Sequence, residues 1–94
     1  MLENQVAIIT GASSGIGRAT ARLFAAKGTA VVVNARGGEG LDSLVQEINA
    51  AGGQAFAVAG DVSEEGVHER MVEAATVHYG GLDIAFNNAG IVGS

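Results

Sequence analysis

The 94-residue sequence predicts an α/β fold in which helices cover both faces of a parallel sheet. Two observations carry that prediction. Four short apolar runs, at Val6–Thr10, Ala30–Val33, Ala55–Ala59 and Asp83–Phe86, are nearly continuous instead of alternating, as strands buried on both faces must be. Between them lie three longer segments with helical spacing, so the order is β-α-β-α-β-α-β, and the twist of the strands makes the crossovers right-handed.

The first strand, Val6 to Thr10, runs directly into Gly11. The helical segment after it sets Ile16, Ala19, Thr20, Leu23 and Phe24 on one face and stops at Lys27-Gly28, a basic last turn followed by a C′ glycine. After the second strand, Leu41, Leu44, Val45, Ile48 and Ala51 repeat that spacing up to Gly52-Gly53. The third helix is expected to start at Ser63 as N-cap, with Glu64 and Glu65 where the helix dipole favours anions, and with Val67, Met71 and Ala75 inside. Gly80-Gly81 closes it ahead of the fourth strand. No proline, linker or low-complexity tract interrupts this series, so residues 1–94 read as a single domain.

Composition narrows the function. With 48% hydrophobic residues, 16% charged residues and 15 glycines without a strict period, the chain is a folding sequence and neither a disordered one nor a fibre. A net charge of −5, with five scattered basic residues, argues against nucleic acid as a partner. There is no cysteine, and His68 and His78 form no ligand motif, so no structural metal is expected. The start "MLENQVAIIT" lacks a basic region ahead of its apolar run, and no stretch approaches the roughly 18 apolar residues of a membrane span. The expected setting is a reducing cytoplasm. A chain of this size buries only about 60 to 68% of its unfolded surface, which makes oligomerisation plausible.

The most informative stretch is Gly11-Ala12-Ser13-Ser14-Gly15-Ile16-Gly17, at the carboxyl end of the first strand and the opening of the first helix. Unpaired N–H groups and the positive end of the dipole make a helix N-terminus an anion site. Glycines at 11, 15 and 17 remove side chains from a tight turn, from the point of phosphate approach and from the helix–strand contact, and Ser13 and Ser14 add hydroxyl donors. The plainer alternative is an ordinary glycine-rich turn; the position between a buried strand and an amphipathic helix favours phosphate binding.

The spacing G-x-x-x-G-x-G, led by Thr10, resembles the T-G-x-x-x-G-x-G loop of the short-chain dehydrogenase/reductase family. Gly60-Asp61-Val62 after the third strand and Asn87-Asn88-Ala89-Gly90 after the fourth agree with it in order and place. The resemblance runs over the whole chain but corresponds to less than half of a usual member. It implies a Rossmann-like three-layer fold, half of a doubly wound one, with strand order 3-2-1-4, and a nicotinamide dinucleotide across the strand ends. On this resemblance Gly11, Ser13, Ser14, Gly15, Ile16 and Gly17 hold the diphosphate, Asp61 and Val62 meet the adenine, and Asn88, Ala89 and Gly90 pass under the ribose next to the nicotinamide.

Cofactor choice turns on Val33-Asn34-Ala35-Arg36. An acidic residue about 20 positions past the glycines binds a ribose 2′-OH, whereas an arginine there accommodates a 2′-phosphate. Ala35 stands where NAD-preferring members have Asp, and Arg36 follows it, so NADP is favoured over NAD. Two plainer readings stay open: Arg36 as a solvated loop residue neutralised by Glu39, and Asp61 as a support for the third helix. Arg18 and Arg22, one turn apart, fit phosphate contacts and solvated positions equally well.

The family's acid/base pair, a tyrosine with a lysine four residues on, has no counterpart. Tyr79 is followed at that spacing by Asp83, and the one lysine is Lys27. The expectation is therefore the cofactor-binding half of an NADP-dependent oxidoreductase, catalytically incomplete as this chain. The alternatives are a nucleotide-binding module that turns nothing over and a self-assembling half-fold. In a 3-2-1-4 sheet the fourth strand is an edge, so self-association is expected, through Ile84-Ala85-Phe86 or through uncovered helix faces, giving a homo-oligomer.

Overall fold

The computed structural model of the chain describes residues 4–12, 15–36, 39–61, 64 and 66–87. Strands β1 (Val6–Thr10), β2 (Ala30–Ala35), β3 (Ala55–Ala59) and β4 (Ile84–Asn87) alternate with helices α1 (Gly15–Ala26), α2 (Glu39–Ala50) and α3 (Val67–Tyr79). Every pairing is parallel and the strand order is β3-β2-β1-β4, as the resemblance implies.

β1 and β2 are buried along their whole length because side chains of period two meet a helical layer on each face. Ala7, Ile9, Val31 and Val33 join a core with Ala21 and Ala25 of α1 and Leu41, Leu44 and Ile48 of α2. Val6, Ile8, Ala30 and Val32 join a second core with Met71, Ala74 and Ala75 of α3. At the start of β4, Asp83 clips the sheet: its carboxylate accepts the Val6 N–H at 2.8 Å, and its own N–H is donated to the Val6 carbonyl at 2.8 Å.

Two local expectations are corrected. In α1 the buried residues are Gly17, Ala21 and Ala25, while Ile16 and Leu23 are 65% and 54% exposed. The small residues recur at i, i+4 and i+8 and turn toward the sheet, which lets the helix lie close to it; apolar size alone points to the wrong stripe. α3 begins at Val67, with Gly66 as N-cap and no side-chain capping bond, and not at Ser63, which lies outside the described residues. The reason is a turn ahead of the helix, in which the Glu64 N–H is donated to the Asp61 carbonyl at 2.8 Å and the Asp61 N–H to Glu64 Oε1 at 3.3 Å. The inner face of α3, Val67, Met71 and Ala75, is as expected, and Gly80 ends it by donating its N–H to the Thr76 carbonyl at 2.9 Å.

Arg18 and Arg22 fasten α1 to α2. Arg22 Nε lies 2.7 Å from Glu47 Oε2 and its Nη2 donates to Oε1 at 2.9 Å, while Arg18 Nη1 donates to the Gly40 carbonyl at 3.1 Å. The hydrogen bond from Arg22 is the main reason the exposed Glu47 carboxyl is held below its ordinary value. These arginines are thus engaged at the helix–helix seam.

Candidate functional site

All four strands run the same way, so their carboxyl ends share one edge of the sheet. α1 and α2 cover one face and α3 the other, so the chain leaves the end of β1 for one side of the sheet and the end of β3 for the other. In open parallel sheets of this kind ligands bind at the carboxyl edge, where the direction of the crossovers changes. β4 ends with Asn87 paired in register against Thr10, the last residue of β1.

The turn after β1 is built for close approach. Gly11 has a φ of +63° and Gly15 one of +61°, the left-handed region that side chains other than glycine's rarely adopt. Space around Gly15 is open, with no atom within 4 Å of where a Cβ would stand. At Gly17 the reverse holds: a Cβ there would collide with the Gly11 carbonyl oxygen and lie 2.8 Å from its carbon. Gly17 therefore brings the first turn of α1 against the end of β1, and Gly15 leaves the outer side of that turn clear.

The first turn of α1 contains no acidic residue, and its leading N–H groups have no partner inside the helix. That end is the positive pole of the helix dipole. A diphosphate fits this cradle on three counts: the sign of the field, the donors, and the empty volume at Gly15.

Two further predicted residues stand together one and two strands away. Arg36 follows β2, with its side chain 86% exposed, and its Nε lies 3.8 Å from Asp61 Oδ2 just beyond β3. A cation and a carboxylate at adjacent strand ends suit a group carrying both a phosphate and a hydroxyl or amino donor. Glu64 and Arg70 hold that corner: Glu64 accepts the Asp61 N–H, and Arg70 Nη2 donates to the Ala59 carbonyl at 3.1 Å.

Of the residues expected from sequence, Gly11, Gly15, Ile16 and Gly17 meet at the β1–α1 corner, and Arg36 pairs with Asp61. Ser13, Ser14, Val62, Asn88, Ala89 and Gly90 lie outside the described residues. Sequence reasoning overlooked Asn34. It is 2% exposed in an otherwise apolar strand, and its Nδ2 donates to the Val58 carbonyl at 2.9 Å and the Gly60 carbonyl at 3.0 Å. The available signal was a polar residue within a run that must be buried, since such a group needs partners.

Tyr79 packs on the α3 core, next to Val6 and Ala30 at the amino ends of the strands, away from the carboxyl edge. Burial pushes its phenol up, away from the range of a general acid or base at neutral pH. It supplies no proton chemistry at the carboxyl edge.

The comparisons agree with this geometry. The family model described as short chain dehydrogenase matches residues 5–94. An uncharacterised oxidoreductase of Methylorubrum extorquens is 50% identical over 91 residues, covering 96% of this chain and 37% of that protein. A cyclohexanol dehydrogenase of an Acinetobacter species is 47% identical over 90 residues, covering 96% and 36%. The crystal structure of a hydroxysteroid dehydrogenase from Escherichia coli superposes with a TM-score of 0.86 at 38% identity, covering 92% of this chain and 37% of that one. The chain thus spans little more than a third of these relatives' length. With the parallel 3-2-1-4 sheet, the glycine corner and a match over nearly every residue, the chain belongs to the short-chain dehydrogenase family.

Proposed function

We propose that this chain is the cofactor-binding part of an NADP(H)-dependent, cytoplasmic short-chain oxidoreductase that transfers hydride between nicotinamide and a carbonyl or alcohol carbon. The observation that carries the reading is the β1–α1 corner, where Gly17 seats the helix and Gly15 leaves its positive end open. When bound, the dinucleotide supplies the hydride donor or acceptor.

The residues of this chain bind and orient. In this reading the backbone amides of Gly15, Ile16 and Gly17, with Gly11 and the hydroxyls of Ser13 and Ser14, take the diphosphate. Arg36 takes a 2′-phosphate, in exchange for part of its contact with Asp61. Asp61 and Val62 take the adenine, and Asn88, Ala89 and Gly90 line the nicotinamide ribose. The described residues offer no phenol or amine suited to proton transfer there, so the chain alone binds without turnover.

Titration of the chain with NADPH, followed by nucleotide fluorescence, is expected to saturate below millimolar concentration, with NADH weaker. Arg36→Ala is expected to weaken NADPH by about tenfold, since a hydrogen bond to a charged group contributes about 1.5–3 kcal/mol and an exposed one the lower end. NADH should change little. Equal loss of both nucleotides would remove Arg36 from cofactor choice, and no saturation at millimolar nucleotide would end the reading.

The same proposal includes self-association. β4 is an edge of the sheet, and its Ala85 is exposed between half-buried Ile84 and Phe86. An apolar edge pairs readily with a second strand. Light scattering at high protein concentration is expected to give a mass above that of one chain; a monomer mass would refute the pairing.

A further inference from the structure

Asn34 touches both halves of the candidate site. Its backbone carbonyl accepts the Ala12 N–H at 2.8 Å, inside the glycine turn after β1. Its side-chain amide donates to the Val58 and Gly60 carbonyls at 2.9 and 3.0 Å, where β3 gives way to Asp61. The second bond is the informative one. The Gly60 carbonyl and the Asp61 N–H belong to a single peptide plane, and that plane is held from both sides, by Asn34 at the oxygen and by Glu64 Oε1 at the N–H, 3.3 Å away.

Gly60 has a φ of +141°, so the chain turns sharply there, and the direction in which Asp61 leaves depends on how the plane is set. The side chain that this plane sends off, the Asp61 carboxylate, lies 3.8 Å from Arg36 Nε. We propose that Asn34 is a positioning residue for the adenosine end of the dinucleotide: it locks the Gly60–Asp61 peptide and, through its own carbonyl, registers that end against the diphosphate turn. The proposal rests on the dinucleotide reading above and adds to it a residue that need not touch the ligand. An ordinary strand-pairing role would make Asn34 matter for stability alone; positioning makes it matter for one half of the ligand.

Asn34→Val keeps strand propensity and the backbone carbonyl but removes both side-chain bonds, and Asn34→Thr, which retains a hydroxyl donor, serves if the valine form does not fold. Leu44→Ala, in the core beneath α2, is the stability-matched control. Three readouts separate the cases: amide hydrogen exchange by NMR, affinity for adenosine 2′,5′-bisphosphate, and affinity for inorganic pyrophosphate. For Asn34→Val, exchange at Gly60 and Asp61 is expected to rise about tenfold or more with Ala12 little changed, because the loss of a buried hydrogen bond acts locally. Adenosine 2′,5′-bisphosphate should bind about tenfold more weakly, and pyrophosphate within about twofold of the unsubstituted chain. Leu44→Ala should lower the melting temperature at least as far and leave both affinities within about twofold. Unchanged exchange at Gly60 and Asp61, or equal loss of both ligands, would overturn the inference. If the unsubstituted chain binds neither probe, the dinucleotide reading fails separately, and the exchange result decides the role of Asn34.

Discussion

Gly17→Ala is expected to destabilise the chain by about 2 kcal/mol or more and to abolish nucleotide binding, although alanine is the better helix former. Within a helix the exchange contributes about 1 kcal/mol in alanine's favour, so propensity alone predicts stabilisation. The opposing effect is steric. A Cβ at position 17 would overlap the Gly11 carbonyl oxygen and sit 2.8 Å from its carbon, and both are backbone atoms without a rotamer to move. Overpacking of this kind costs about 1–3 kcal/mol and more where backbone must shift, so the clash wins. Relief requires α1 to back away from the end of β1, which displaces the amides proposed to meet the diphosphate. With about 4–8 °C per kcal/mol for a domain of this size, the melting temperature should fall by about 10 °C. A melting temperature that rises instead would show that the helix does not press on the turn.

Met71→Ala should cost about 3 kcal/mol, a large share of the ~5–14 kcal/mol available to a chain of this length. Among the described residues α3 alone covers its face of the sheet, and its inner stripe is otherwise Val67, Ala74 and Ala75. Met71 is the one long side chain among the buried residues of α3, and it is fully buried. Truncating it leaves a cavity that alanines cannot fill, whereas Met71→Leu nearly conserves volume and should cost under about 1.5 kcal/mol. Urea unfolding of both variants checks the pair. A loss below about 1 kcal/mol for the alanine variant would mean that the face is loosely packed.

Much of the architecture was legible because it is encoded locally. Continuous β-branched runs mark strands buried on both faces, so all four were placed within two residues of where they occur. Gly11, Gly15 and Gly17 were legible for a similar reason: turns, left-handed backbone and close contacts demand the residue without a side chain. Arg36 and Asp61 stand out in the sequence through the family resemblance, but their mutual approach does not, since they are 25 positions apart in the chain.

What escaped the one-dimensional reading involves distance between segments. Leu23 and Ile16 outweigh Gly17, Ala21 and Ala25 in hydrophobicity, yet the small residues face the sheet, because how near a helix may lie is decided by the surface it meets. Arg18 and Arg22 were ambiguous until α2 brought Glu47 beside them. The N-terminus of α3 moved from Ser63 to Gly66 because the Asp61–Glu64 turn ahead of it satisfies its own backbone groups. Local chemistry, then, was enough to set strand character, helix periodicity and the glycine turn, whose physical demands are met within a few neighbouring residues. Helix orientation, the arginine clamp, the Asn34 bonds and the Arg36–Asp61 pair arose only on folding, because each joins groups that the chain itself does not place side by side.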